Sequence, residues 1–195
     1  MSRNLILDKS FFNRNTLEVA KYLLGKVLVR EINGKRLSGR IIEVEAYHGR
    51  DDLACHASKG KTKRTEVMFG SPGTIYVYMI YGMYFCLNIV TMPREFPAAI
   101  LIRGIEPMEG IKEMMKNRNL VEDKKNILAD GPGKLCQALK IDRKLNGEIL
   151  GKKSGLWVED DGYVLNEKNI TRSKRIGVSY AKHCAEWEWN WKLLS

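Results

Sequence analysis

The sequence predicts an α+β or mainly-β fold, a single domain built on antiparallel strand pairs. Three observations carry that prediction. Stretches of period-2 apolar alternation outnumber stretches of helical period. Turn signals join neighbouring strands as hairpins. No internal repeat, low-complexity tract or Pro/Ser-rich linker divides the 195 residues, so residues 1–195 are expected to share one hydrophobic core.

Near the N-terminus, Asn15-Thr16-Leu17-Glu18 has the pattern of a capping box, after which Leu17, Ala20, Leu23 and Leu24 share one helical face and Gly25 provides a C-terminal stop. Lys26–Ile32 alternates as a strand, Asn33-Gly34 is a type I′ turn signal, and Arg36–Tyr47 returns as the partner. Gly73–Met79 and Tyr84–Thr91 form a second pair around Tyr81-Gly82, and Ala98–Ile105 is a further strand. A helix is expected over Met108–Lys116, started by Pro107, and another over Lys134–Leu139, entered through Gly131-Pro132-Gly133. Leu156–Glu159 and Tyr163–Asn166 flank Asp160-Asp161-Gly162 as a hairpin. Trp187, Trp189 and Trp191 alternate with polar residues in a last strand.

Charge narrows the partners. Thirty-three Lys and Arg against 23 Asp and Glu give +10, which favours a polyanion, nucleic acid slightly ahead of a merely solubilising surface. Cys55, Cys86, Cys136 and Cys184 show no CxxC spacing and read as free thiols of an intracellular protein. Val67–Pro93 has no charged side chain, but Pro72-Gly73, Gly82 and the alternation indicate a hairpin and not a membrane span. The chain lacks a P-loop, a GxGxxG after a strand, an HExxH and the zinc-deaminase pattern. The neighbours Cys55-His56 and His183-Cys184 lack the tight spacing of a zinc site, so no metal and no cofactor is expected.

The chemistry concentrates between Gly39 and Asn88, with Arg103 beyond. As a strand, Gly39–Tyr47 places Ile42, Val44 and Ala46 on one side, and Glu43, Glu45 and Tyr47 on the other. Read alone, it favours a half-solvated strand with two surface carboxylates. His56 and the basic stretch Lys59-Gly60-Lys61-Thr62-Lys63-Arg64 lie close behind in sequence, and together they suit a nucleotide with its phosphates. The turn Ile80-Tyr81-Gly82-Met83 carries large apolar side chains where hairpin tips usually carry Asn, Asp or Ser. Exposed, Tyr81 and Met83 would act as a wedge between base pairs; buried, they are simply packing. Tyr76, Tyr78 and Tyr84 offer flat faces for a base or belong to the core. Asn88 either satisfies backbone groups or reads a ligand edge, and Arg103, a lone charge in an apolar strand, calls for a carboxylate or a phosphate.

The run Gly39–Tyr47, then His56, then Gly73–Asn88, then Leu101-Ile102-Arg103-Gly104-Ile105-Glu106-Pro107, resembles the alkyladenine (3-methyladenine) DNA glycosylase family. Gly131–Leu139 extends the match, which covers about Leu23 to Val178 and is weak across Asn117–Asp130 and Asn146–Thr171. The longer N-terminal extension of the mammalian members has no counterpart in these 195 residues. The resemblance implies an α+β fold, a single compact domain around a curved antiparallel β-sheet with a few peripheral helices. It implies Glu45 as general base and Arg103 beside the catalytic water and the flipped nucleotide's phosphate. It also implies Tyr47, His56 and Tyr78 around the base, Tyr81 filling the gap left in the duplex with Met83 beside it, and Asn88 excluding the 2-amino group of guanine.

The expected activity is therefore excision of damaged purines from double-stranded DNA by a monomer. The location would be cytoplasmic or nucleoid in a bacterium and nuclear in a eukaryote. Lys59, Lys61, Lys63 and Arg64 are expected on the DNA backbone. No lysine stands at the matched nucleophile position, which predicts a monofunctional enzyme that leaves an abasic site. Two other readings remain open from sequence: a non-catalytic nucleic-acid-binding module, and a glycosidase of free nucleosides, which needs neither the Tyr81–Met83 tip nor the charge.

Overall fold

The computed structural model describes residues 4–120 and 127–194. Its framework is an antiparallel sheet of β1 (Leu5–Ile6), β2 (Val27–Ile32), β3 (Lys35–His48), β4 (Ile75–Ile80), β5 (Tyr84–Val90), β6 (Ala98–Glu109), β7 (Leu156–Asp160), β8 (Ile170–Ser173) and β9 (Asn190–Leu193). The strand order is β1-β7-β2-β3-β6-β5-β4, with β9 paired to β3 and β8 to β9. The helices are α1 (Lys9–Phe12), α2 (Thr16–Leu23), α3 (Ile111–Asn117) and α4 (Pro132–Ala138). This is the expected α+β architecture.

Local chemistry accounts for the elements that matched. Asn15 caps α2 by accepting from the Leu17 N–H at 2.9 Å, although Glu18 reaches back to Arg14 and does not close the box. Asn33 and Gly34 both have positive φ, 52° and 71°, as a two-residue I′ turn between paired Ile32 and Lys35 requires. The uncharged run is the β4–β5 hairpin. Among the described residues no helix is long and apolar enough to cross a membrane.

The sheet has two dissimilar faces. Ile75 and Val77, Leu87 and Ile89, Ile100 and Ile102, and Val44 and Ala46 all turn into the main core beside Leu23, Leu135 and Leu139. The alternate residues on the same four strands turn the other way: Tyr76 and Tyr78, Cys86 and Asn88, Leu101 and Arg103, Glu45 and Tyr47. Cross-strand pairs Tyr76↔Asn88, Asn88↔Leu101 and Glu45↔Leu101 set these side by side.

Five expectations are corrected. Ile42 does not join Val44 and Ala46 in the core; Ile41 does, because β3 bulges between Ile41 and Val44. There its outer partner changes from β2 to β9, and the extra residue absorbs the switch. Met108–Lys116 is not one helix. Strand β6 runs on to Glu109, with Pro107 at a register shift against Gly39 where β5 no longer flanks it, so the missing N–H costs nothing. Helix α3 begins only after Gly110, and α4 begins two residues early, with Pro132 at its first turn. Tyr163–Asn166 forms no strand, since β1 and β2 already occupy both edges of β7 and Arg40 holds Asp161 at 2.9 Å. Of the three alternating tryptophans only Trp191 lies in β9, which pairs with both β3 and β8.

Gly110 turns the chain at φ 72°, and a Cβ there would lie 2.4 Å from Leu37 Cδ2 and 2.8 Å from the Arg36 carbonyl oxygen. Gly110→Ala is expected to lower the unfolding free energy by about 1–3 kcal/mol from the backbone conformation, plus the cost of that clash. Urea denaturation checks this; a loss below that range would mean the turn relaxes freely.

Candidate active site

Glu45 sits on the inner face of β3 with no exposed surface. A buried carboxylate needs donors, and four supply them. The Tyr47 hydroxyl donates at 2.8 Å and Arg103 Nη1 at 3.2 Å to Oε2; the Ile176 N–H at 2.7 Å and Asn190 Nδ2 at 3.1 Å to Oε1. Glu43, two residues earlier and nearer the surface, takes Arg103 Nε and Asn190 Nδ2, each at 3.0 Å. Arg103 thus straddles both carboxylates. Burial opposes its charge, but Glu45 and Glu43 outweigh burial and hold its pKa above the ordinary arginine value.

Beside this cluster lies a cavity of about 430 Å³, walled by Tyr47, His56, Tyr76, Tyr78, Asn88 and Arg103. Its rim includes Tyr81, Tyr84, Ile176 and Tyr180. Glu45 stands one layer behind the wall. The His56 ring meets the Tyr78 ring edge-on at 4.6 Å, and its Nδ1 lies 3.0 Å from the Tyr76 hydroxyl. Arg64 Nη2 lies 3.4 Å from His56 Nε2, so the arginine donates there and Nδ1 carries the proton toward Tyr76. Burial, helped by the Arg64 charge, lowers the His56 pKa to about 4. Burial and then the Glu45 charge push the Tyr47 hydroxyl well above its ordinary range, and burial raises Tyr78. At neutral pH these three groups are therefore uncharged, and the cationic groups in the wall are Arg64 and Arg103.

The structure brings together Glu45, Tyr47, His56, Tyr78, Asn88 and Arg103, with Arg64 and Tyr81 at the rim. Asn88 donates its amide to the Tyr76 and Cys86 carbonyls, at 3.2 and 3.4 Å, which leaves its side-chain oxygen for the cavity. Tyr81 and Met83 are exposed, 83% and 65%, so the tip is not packing. Tyr81 adopts φ 55°, a conformation unfavourable for a large side chain. Lys59, Lys61 and Lys63 are exposed but outside the cavity, and Lys61 leans toward Glu95. Tyr76 is buried and Tyr84 part of the mouth.

Sequence reasoning missed Ile176 and Asn190, which reach Glu45 across 131 and 145 residues, and the buried pair Asp52–Arg175 behind Tyr47. Cys55, Cys86, Cys136 and Cys184 are free and buried. Among the described residues no three His, Cys, Asp or Glu side chains converge as a metal site would require.

Comparison with known proteins identifies the family of the chain. A family model described as methylpurine-DNA glycosylase matches residues 10–194. A relative from Clostridium perfringens (strain SM101 / Type A) that bears the 3-methyladenine DNA glycosylase name is 49% identical over 195 aligned residues, covering 96% of this chain and 95% of its own. One from Methanocella arvoryzae bearing the same name is 50% identical, covering 94% and 90%.

A histidine buried neutral stabilises the fold fully above its ordinary pKa of 6.5 and loses that contribution as pH falls through about 4. Across that window His56 should add up to about 1.4 kcal/mol per pH unit to the acid loss of stability. His56→Gln is expected to flatten this limb in urea unfolding measured from pH 7 to 4; an unchanged slope would show that His56 takes up its proton in the folded state.

Proposed function

Since the chain belongs to the methylpurine-DNA glycosylase family, and is thereby a DNA glycosylase, a hydrolase of N-glycosyl bonds, we propose that it is a monofunctional enzyme of base excision repair acting on alkylated or deaminated purines. The substrate class is 3-methyladenine, 7-methylguanine, hypoxanthine and ethenoadenine in double-stranded DNA, and the enzyme works as a monomer. The observation that carries this reading is a fully buried, four-times hydrogen-bonded carboxylate directly behind an aromatic cavity.

Extraction of the base costs a few kcal/mol, least for a poorly paired lesion, and this contributes to selectivity. The Tyr81 side chain, held out at the hairpin tip with Met83, takes the vacated place in the stack. The base enters between Tyr47, His56 and Tyr78. A purine alkylated at N3 or N7 is already cationic, so it stacks well on these electron-rich rings and departs readily. The Asn88 oxygen faces the entering base and excludes the 2-amino group of normal guanine. Arg64 and the neighbouring lysines meet the backbone phosphates.

Breaking the N-glycosidic bond leaves positive charge on the sugar. Glu45 stabilises that charge and accepts a proton from the attacking water, help worth about 10²–10⁴-fold. Arg103 orients the carboxylate through its 3.2 Å contact with Oε2. The bond to the base breaks, the water oxygen bonds to C1′, and an abasic sugar remains. No lysine lines the cavity among the described residues, which agrees with a pathway that lacks a Schiff base and strand cleavage.

Two outcomes test this reading. Glu45→Gln is expected to retain binding to lesion duplex while releasing base at least about 100-fold more slowly, measured by chromatography of freed bases. Wild-type protein that binds alkylated duplex but frees no base would instead identify a binding module. Tyr81→Ser is expected to weaken lesion-duplex binding by roughly tenfold, the scale of one lost stacking contact; unchanged affinity would remove the wedge role.

A further inference from the structure

Behind Tyr47, on the side away from the cavity, the Arg175 and Asp52 side chains form an ion pair with no exposed surface. Arg175 Nη1 lies 2.6 Å from Asp52 Oδ2 and Nη2 lies 2.8 Å from Oδ1. The same guanidinium donates to the Ala46 carbonyl at 2.9 Å and to the Cys184 carbonyl at 3.1 Å. Its central carbon lies over the Tyr47 ring, 4.9 Å from the centroid, and over the Trp189 ring, 5.0 Å from the centroid. Asp52 also accepts from the His48 N–H at 3.1 Å and the Ala54 N–H at 3.0 Å, at the start of the segment that delivers His56.

We infer that the Arg175–Asp52 pair is a positioning element for the reaction proposed above. It fixes the base-stacking ring of Tyr47 and the carboxylate of Glu45 relative to each other. The link to Glu45 is covalent on one side: Ile176, the next residue after Arg175, donates its backbone N–H to Glu45 at 2.7 Å. The link to Tyr47 is the cation–π contact of the guanidinium with its ring. One rigid group therefore sets both the depth of the base and the angle of the carboxylate. Neither Arg175 nor Asp52 lines the cavity, so neither touches substrate. A buried pair of this kind is often replaceable by apolar residues of similar volume without loss of stability, so stability alone does not account for its being ionic. The four hydrogen bonds from Nη1 and Nη2 and the two ring contacts do account for it, although Nε is buried without a partner.

The experiment compares wild type with Asp52→Asn, Arg175→Lys and the double replacement Asp52→Leu with Arg175→Met, which removes both charges together. Three quantities are read: the single-turnover rate of base release from hypoxanthine-containing duplex at saturating enzyme, the Kd for duplex bearing an uncleavable abasic analogue, and the amide proton shift of Ile176. Each variant is expected to release base roughly 10–100-fold more slowly, the cost of a small misplacement of reacting groups. The Kd should stay within about threefold of wild type, since the interaction lost acts on the chemical step. The Ile176 amide proton should move upfield as its hydrogen bond to Glu45 loosens.

A folded double variant with wild-type rate and an unmoved Ile176 resonance overturns the inference. So does failure of all three variants to fold, which would make the pair a structural requirement. Wild-type protein that frees no base sinks the proposed reaction instead, and the Ile176 resonance still reports whether the pair holds the carboxylate.

Discussion

The structure is organised around one constraint, a carboxylate on β3 that is removed from the surface and must find its hydrogen-bond donors inside the fold. A buried polar group left without partners is costly. Glu45 draws its donors from its own strand and from distant parts of the chain: Tyr47 on β3, Arg103 on β6, Asn190 on β9 and the Ile176 N–H. The strand pairing of β3 with both β6 and β9 is what brings two of them, Arg103 and Asn190, within reach. The bulge between Ile41 and Val44 belongs to the same arrangement, since it lets β3 leave β2 and take up β9 next to Glu43 and Glu45. Sheet topology and site electrostatics are thus one problem with one solution.

The second constraint is geometric. Residues two apart on a strand share a face, so a site made from four adjacent strands needs no special loop to converge. Each strand contributes apolar residues to the core and polar or aromatic ones to the cavity from the same few positions. The loop that is special, Tyr81-Gly82, is strained in a way the core does not require. A tyrosine at φ 55° costs roughly 1–2 kcal/mol relative to Asn, Asp or Gly habits at this turn, and its exposure returns nothing to folding. The rest of the fold carries that cost, and the tip is left free for the contact with DNA proposed above.

Local chemistry makes part of this legible in the sequence itself. The Asn33-Gly34 turn, the Asn15 cap and the alternation of Glu45 with Tyr47 depend on neighbours in sequence, and all three appear where expected. Pattern alone does not separate Glu45 from Glu43; the resemblance to a known family does, and the deeper burial and fuller hydrogen bonding of Glu45 give a physical distinction. What stays hidden is non-local. Asp52 follows Arg50-Asp51 and Arg175 follows Lys174, so both read as ordinary surface charge in sequence, although they lie 123 residues apart in a dry pair. Pro107 misleads for a similar reason. It suits a helix start, but an edge position in β6 suits it equally, and only the partner strands decide.

The saturation of Glu45 sets a condition on its chemistry. A carboxylate offers about four lone-pair sites, and four donors already occupy them. In the reaction proposed above, a water molecule that gives up its proton to Glu45 has to replace one donor. Asn190 is remote from the cavity, and its amide is shared with Glu43. The Ile176 N–H belongs to the backbone beside the Arg175 clamp, and releasing Arg103 would strand a buried charge at a cost of several kcal/mol. Tyr47 is different: burial keeps its hydroxyl neutral and its ring lines the cavity, so in the reaction proposed above it is the donor whose displacement leaves no charge unpaired. Turning the O–H leaves its oxygen 2.8 Å from Glu45, so that displacement has to shift the ring itself, against which the Arg175 guanidinium rests.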